Sequence, residues 1–308
     1  MCAKRIGTYS PNEPHVSVSE PSGGEEDRYI GVTAPKGSNR RLRHFLELFN
    51  FTKRLPGRVY TLSMRIAVLN LQSGIGITSY PQYVSRGWAY VFPHGGHYVR
   101  EAGDMLKRED VDLALAVEVE EHGLRSGFLS QTKILREHSQ MSEHVFFTTR
   151  IVARMVHEGS AILSRLPLSG MHTYPLPSRK IPRLLGESTV EIQGTQVHVL
   201  VAHLGLRREF RHKQIAEIAE ILRDRTGPII LGGDFNERDH EAFLPLRALF
   251  PHLVTHPTFP SWNPKFPLGV LFLSEHFESP SVYTPKGPLF SDHAPFIVET
   301  DFRAEPQI

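Results

Sequence analysis

Three short segments carry residue types able to do hydrolytic chemistry. In Ile229-Ile230-Leu231-Gly232-Gly233-Asp234-Phe235-Asn236 an apolar strand runs into two glycines and then presents Asp234 and Asn236 two residues apart. Both side chains therefore leave the strand end on the same side. Such a pair can hold a divalent metal, a phosphate oxygen or an attacking water, or it can simply form a strand-to-turn Asx motif. In Phe290-Ser291-Asp292-His293-Ala294-Pro295, Asp292 and His293 are adjacent and point in different directions on an extended chain. That suits Asp292 to a metal and His293 to proton transfer, although Asp-His pairs are commonly structural. His203 ends the apolar run begun at Val197; with 17 histidines in the chain, it is by itself equally well read as a surface or core residue.

Two more residues extend the set. Asn70 ends the run Arg65–Asn70, and Glu118 lies inside Leu115-Ala116-Val117-Glu118-Val119-Glu120. A lone carboxylate buried in such a strand costs several kcal/mol, so Glu118 must face solvent or meet a cation. Each of these strands carries one polar residue near its carboxyl end, the arrangement expected if several strands converge on one site.

The elements that would position them follow from periodicity. Strands are expected at Arg65–Asn70, Leu113–Val119, Ser160–Leu163, Ser188–Ile192, Val197–Ala202, Ile229–Gly232, Val270–Leu273 and Pro295–Glu299. Helices are expected at Val99–Lys107, Gln131–His138, Glu209–Arg223 and His240–Leu249, the third with Ile215, Ile218, Ala219 and Leu222 on one face. Runs of strands between helices suit two packed sheets with helices outside, an α/β protein. Ahead of them, residues 1–63 read as an N-terminal extension, disordered or loosely docked, with one apolar burst at His44–Phe51 that could dock on the body or lie on a partner or membrane surface. Residues 64–303 form the expected catalytic domain, and Met64 offers an alternative start of translation.

With 308 residues, 40% hydrophobic and 22% charged, the chain can bury one substantial core, which excludes a collagen, a coiled coil and a wholly disordered protein. Its only cysteine, Cys2, leaves no intrachain disulfide and no cysteine-based zinc site. No run is long and apolar enough to span a membrane and the start lacks a secretory pattern, so the expectation is a soluble, cytoplasmic monomer. The net charge of +2 is uneven: residues 1–63 carry +4 and the remainder −2. An acidic body does not exclude a phosphate substrate, because a bound dication reverses the local field.

Taken together, Val68-Leu69-Asn70, Val117-Glu118-Val119, Gly159–Ser164, Ala202-His203-Leu204, Gly232–Asn236 and Ser291–Pro295 stand in the order seen in the endonuclease/exonuclease/phosphatase superfamily of metal-dependent phosphoesterases, which the chain resembles from Met64 to about Thr300. Arg125-Ser126-Gly127 with Gln131, and Thr258–Pro264, are most similar to its bacterial hydrolase branch. The resemblance implies a four-layered α/β sandwich of two facing mixed β-sheets flanked by helices, as in DNase I. It also implies Mg²⁺ or Mn²⁺ on Glu118, with Asn70 and Asp292 nearby, and a phosphate-ester substrate: nucleic acid, a phosphorylated small molecule or a lipid headgroup. On the same grounds Asp234 would orient or deprotonate water, Asn236 would hold phosphate, His203 and His293 would bracket the phosphoryl group, and Glu158 would orient His203. Trp262 would form a pocket wall or only pack.

The chain also departs from the pattern. Family members carry an aspartate opening the penultimate strand that orients the final histidine; Gly269 stands there, and Ser160 stands where many relatives carry asparagine. Without an orienting partner an imidazole loses tautomer control, so the chain could be a weakened or inactive binding protein, a carboxylate from elsewhere could substitute, or the sequence could be in error. Glu275 and Glu278 lie beyond the strand and are poor substitutes. Basic residues at Arg179, Lys180 and Arg183, and at Arg207, Arg208, Arg211 and Lys213, could meet phosphate or form a solvated face. His94-Gly95-Gly96-His97 has metal-like spacing without a third ligand and reads as structural.

Overall fold

The computed structural model describes residues 61–153 and 155–303. The expected extension over residues 1–63 falls outside them except for its last three residues, and so does the His44–Phe51 burst. In chain order the elements are β1 (Thr61–Asn70), α1 (Tyr80–Ser85), α2 (His97–Arg108), β2 (Leu113–Glu120), α3 (Gln131–Ser139), β3 (Glu143–Val152), β4 (Val156–Ser164), β5 (Leu168–Leu176) and β6 (Arg183–Ile192). There follow β7 (Thr195–His203), α4 (Arg208–Leu222), β8 (Ile229–Asp234), α5 (Leu244–Arg247), β9 (His252–Thr255), β10 (Gly269–Leu273), β11 (Phe277–Tyr283) and β12 (Phe296–Arg303).

The strands form two six-stranded sheets, ordered β11-β12-β1-β2-β4-β3 and β5-β6-β7-β8-β10-β9. Each is antiparallel except for one central parallel pair, β1 with β2 and β7 with β8. A parallel pair needs a crossover rather than a hairpin, and α2 and α4 lie in those two connections. The result is the expected four-layered sandwich, helix on sheet on sheet on helix.

Alternation along β1 shows why the layers form. Met64, Ile66 and Val68 point between the sheets, where they meet Leu115 and Val117 of β2 and Val199, Val201 and Ile230 of the opposite sheet. Ala67 and Leu69 point the other way, under Val99, Ala102 and Leu106 of α2 and Leu135 of α3. On the far side Leu200, Leu231 and Phe272 pack on Ile215, Ile218 and Leu222 of α4, the face its periodicity predicts. Burial of each such side chain contributes about 1.5–3 kcal/mol, so the two-sided apolar strands at the sheet centres are the most constrained part of the fold.

Two expected boundaries are corrected. β1, expected from Arg65, begins at Thr61, and Leu62, buried, pairs with Phe302. The helix expected over His240–Leu249 is a 3-10 turn (His240–Phe243) followed by the single turn of α5, because Pro245 fits only the first turn of a helix.

Candidate active site at the strand ends

The four central parallel strands bring their carboxyl ends to one edge of the sandwich, where an open α/β sheet offers its crevice. Asn70 ends β1, His203 ends β7 and Asp234 ends β8, with His203 and Asp234 in register. Glu118 comes from β2, and Asp292 and His293 from the segment entering β12.

Glu118 reaches the cleft through a bulge. Ala114 and Ala116 of β2 face the helices, and Leu115 and Val117 face the second sheet. Simple alternation would return Glu118 to the helix side and Val119 to the sheet interior; instead Val119 lies with the helix-side cluster. The β2–β4 register shifts between Ala116 and Val119, and Glu118 has φ 52°, a conformation that L side chains seldom adopt. An extra residue in one strand re-aims a side chain in this way, and backbone strain at a strand end is tolerated where the surroundings enforce it. Next to Asp234, Gly233 has φ 139°, and a Cβ there would stand 2.0 Å from the Ala202 carbonyl oxygen, so the second glycine of Gly-Gly-Asp is fixed by the close approach of β7.

The side chains are linked across the two sheets. Asn70 Nδ2 donates to Glu118 Oε1 at 3.1 Å and to Asp234 Oδ2 at 3.0 Å. His203 Nε2 lies 3.8 Å from Glu118 Oε1, and His293 Nδ1 lies 3.5 Å from Asp234 Oδ2. Asp234 Oδ1 accepts the Asn236 backbone N–H at 3.0 Å, while Asn236 Nδ2 donates to the Leu204 carbonyl at 3.1 Å. Asp292 Oδ2 accepts from Tyr83 Oη at 2.8 Å and its Oδ1 from Ser291 Oγ at 3.3 Å. Asn70, Glu118, Asp234, His203 and His293 therefore form one connected cluster, and the Asp292 charge lies close enough to act on Glu118.

Its electrostatics reflect crowded carboxylates. Burial, then the neighbouring Glu158 and Asp292 charges, push the Glu118 carboxyl up to about 7. Burial also raises Asp292. His203 is held well below the usual imidazole range by burial, then by Arg183 and His293. Arg183 is itself lowered by burial, while the Glu118, Glu158 and Asp234 charges pull it back up.

The geometry bears on several expectations. Asn70, expected beside the metal, braces the cleft: its Oδ1 accepts the Gln72 backbone N–H at 2.9 Å, which fixes the amide so that Nδ2 faces the carboxylates. Glu158 does not orient His203. It accepts from Arg125 at 3.0 Å and lies 3.6 Å from Arg150, because Arg125 sits buried between Glu158, Glu120 and Ser73. The carboxylate facing His293 belongs to Asp234, directly opposite Gly269 in the β8–β10 pairing, and not to Glu275 or Glu278. At 3.5 Å that contact is longer than a hydrogen bond, and a small cavity lined by Asn70, Asp234, Thr258, Gly269 and His293 adjoins it.

Trp262 packs edge-on to Tyr80 and Tyr83, with ring centroids 5.0 and 6.3 Å apart, beside the Tyr83–Asp292 hydrogen bond. Of the basic runs, Arg208, Arg211 and Lys213 pair with Asp239, Glu237 and Glu209, a salt-bridged helix face, and Arg179 and Lys180 are exposed. His94 bonds its neighbour's carbonyl and His97 opens α2; among the described residues no three His, Cys, Asp or Glu side chains stand together as a metal site. Tyr83 and Ser73 escaped the sequence reading, since neither lies at a strand end. Arg125 and Gln131 were legible only as marks of resemblance; Gln131 holds the turn after Asn70 by donating to the Ser73 carbonyl at 2.6 Å.

The model of the family described as Endonuclease/Exonuclease/phosphatase matches residues 68–293. The uncharacterized protein YbhP of Escherichia coli strain K12 is 28% identical over 158 residues, 46% of this chain and 62% of that protein, so the chain spans about three-fifths of the length of the curated relative it matches. An endonuclease/exonuclease/phosphatase from Beutenbergia cavernae superposes with a TM-score of 0.61 at 18% identity, covering 78% of this chain and 72% of that one. The mannosyl-6-phosphatase of Bacteroides thetaiotaomicron superposes with a TM-score of 0.55 at 17% identity, covering 77% and 99%.

Proposed function

The chain belongs to the endonuclease/exonuclease/phosphatase family, and on that premise we propose that it hydrolyses a phosphodiester or phosphomonoester by direct attack of water, with no covalent intermediate. The observation that carries this reading is the Asn70 amide braced between Glu118 and Asp234, which draws the strand ends of both sheets into one polar cleft. In it Asp234 holds the attacking water, His203 and His293 hydrogen-bond the phosphoryl oxygens from two sides, and Arg183 neutralises charge on the substrate. Asn236 has a second amide N–H beyond the one given to Leu204 and can donate it to phosphate.

The donor set fits a small, hard dication. Glu118 and Asp292 offer carboxylate oxygens, and the proton affinity raised at both is relieved by a cation. Two carboxylates leave the remaining positions to water and substrate oxygens, as Mg²⁺ usually prefers. Bound there, Mg²⁺ or Mn²⁺ would neutralise charge developing on the phosphoryl group. Tyr83 would then set the orientation of Asp292. Tyr83→Phe is expected to weaken metal affinity by about 10–100-fold with little change in the melting temperature, read by titrating activity against Mg²⁺ and Mn²⁺.

Hydrolysis of bis-p-nitrophenyl phosphate and p-nitrophenyl phosphate, with metal and with EDTA, tests the reading; turnover that is present with metal and absent with EDTA is the expected result. Gly269 favours one second reading, a disabled relative that binds without turnover, because His293 lacks a hydrogen-bonded carboxylate. A silent wild type with activity gained in Gly269→Asp would select it. That substitution must displace Phe296, whose Cε1 lies 2.9 Å from the new Cβ, at a cost of about 1–3 kcal/mol.

A further inference from the structure

Beside the cleft, residues 80–92 carry six of the sixteen large apolar side chains that are exposed among the described residues. Tyr80, Val84, Trp88, Tyr90, Val91 and Phe92 are all exposed, Val84 at 87% and Phe92 at 60%. Tyr80 and Val84 share a face of α1 one turn apart, and Val91, which caps the following 3-10 turn (Gly87–Tyr90), donates its backbone N–H to the Trp88 carbonyl. The connection between β2 and α3 extends the patch: Phe128 and Leu129 are exposed, Gly127 faces Pro93, and the His94 N–H bonds the Arg125 carbonyl at 3.3 Å. The segment is anchored from below. Tyr83 and Ala89 pack with Ile75, Ile77 and Trp262, and Tyr83 and Tyr90 hydrogen-bond Asp292 and Gln72. A firmly held, outward-facing aromatic surface thus borders the candidate active site.

Its charge narrows what it can meet. Residues 80–92 contain no acidic side chain and one cation, Arg86. That guanidinium is turned inward, donating to the Ile75 carbonyl at 3.1 Å and lying 4.9 Å from the centre of the Tyr98 ring. A surface that tracks a nucleic acid backbone needs outward Lys and Arg beside its aromatics. An uncharged surface of Trp, Tyr, Phe and Val instead matches the boundary between lipid headgroups and acyl chains, where amphipathic rings reside. Contiguous exposed apolar patches on a folded protein mark such contacts.

We propose that residues 80–92, with Phe128 and Leu129, form a lip that seats on a lipid surface, and that the neighbouring site takes an amphiphilic phosphoester presented from that surface. The substrate half rests on the hydrolytic reading above; the binding half does not. In this arrangement the acyl region stays against Val84, Trp88 and Phe92 while the headgroup phosphate enters past Trp262 and Tyr83.

The test uses the full chain and vesicles of phosphatidylcholine, phosphatidylethanolamine and phosphatidylglycerol, comparing wild type with Val84→Asp/Phe92→Asp. Wild type is expected to float with vesicles at low and at high salt, and the variant to lose at least about tenfold of that partitioning. Cleavage of vesicle phospholipid, followed by phosphorus NMR, should fall in parallel while hydrolysis of soluble bis-p-nitrophenyl phosphate stays unchanged. No flotation of wild type, or equal flotation of the variant, overturns the lip. Conversion of a dimer to monomer by the substitutions assigns the patch to a second copy, and loss of single-stranded DNA affinity assigns it to nucleic acid; either overturns the proposal. Flotation with soluble-ester hydrolysis but no phospholipid cleavage overturns the substrate half alone, and flotation with no hydrolysis of any ester shows instead that the catalytic reading has failed.

Discussion

Replacing Asp234 by Asn is expected to lower kcat/KM on a phosphoester by at least about 10³-fold, with a folded protein of reduced stability. The reason lies in how the carboxylate is used. Oδ2 accepts the Asn70 amide and Oδ1 accepts the Asn236 backbone N–H, so both oxygens face donors. An amide offers one acceptor and one donor. Whichever way Asn is placed, an N–H group opposes either Asn70 Nδ2 or the Asn236 N–H, and the buried mismatch costs about 1–3 kcal/mol. The negative charge 3.5 Å from His293 is also lost. Steady-state kinetics beside thermal unfolding separate the two effects. An Asn variant that keeps wild-type turnover would remove Asp234 from the chemistry, and one that fails to fold would be replaced by Asp234→Glu, which retains two acceptors but displaces them.

The parts of this architecture that were legible in the sequence, and the parts that were not, divide on a physical line. Every expected strand corresponds to a strand inside a sheet, hydrogen-bonded on both sides. The strands that periodicity did not reveal, β3, β5, β9 and β11, are the four sheet edges. An edge strand pairs on one side and meets water on the other, so its apolar signal is diluted: β5 is exposed along most of its length and carries Gly170 and Pro175. The strand-end polar residues were readable for the opposite reason, because a charge at the end of an otherwise apolar run has no local explanation. What those residues do for one another was not readable. The turn of Glu118 into the cleft depends on a bulge opposite β4, the orientation of Asn70 on a backbone N–H two residues on, and the Tyr83–Asp292 bond on a contact spanning 209 positions. Glu158 shows the same limit: its charge acts on Glu118, but its hydrogen-bond partner is Arg125, which arrives from a different loop.

A second large effect is expected far from the cleft, at Glu187. On β6, Leu185 and Glu187 point toward the α4 side of the second sheet, so the pattern puts a carboxylate where the neighbouring position is apolar. It is buried and fully engaged: Tyr174 Oη donates at 2.7 Å, His198 Nδ1 lies at 2.7 Å, and Arg225 donates to both oxygens, Nη1 at 2.5 Å and Nη2 at 2.9 Å. The cluster ties edge strand β5 to β6, β7 and the turn after α4. Burial alone would raise the carboxyl, but the hydrogen bonds from His198, Tyr174 and Arg225 outweigh it and bring it from 4.5 down to about 2. Glu187→Gln leaves Arg225 with the Tyr174 hydroxyl and a single acceptor on the new amide, and breaking an ion pair made to a buried carboxylate costs about 3–5 kcal/mol. The sign of the pH dependence follows from the depressed carboxyl: its contribution is fully present above about 4.5, the value in the unfolded chain, and disappears as pH falls through about 2, where both states bind the proton. Urea unfolding at a series of pH values should therefore show the wild type losing stability across that window while its advantage over Glu187→Gln shrinks. A gap between the two proteins that stays constant from neutral pH down to 2 would mean that the Glu187 charge contributes nothing and that the cluster holds by packing alone.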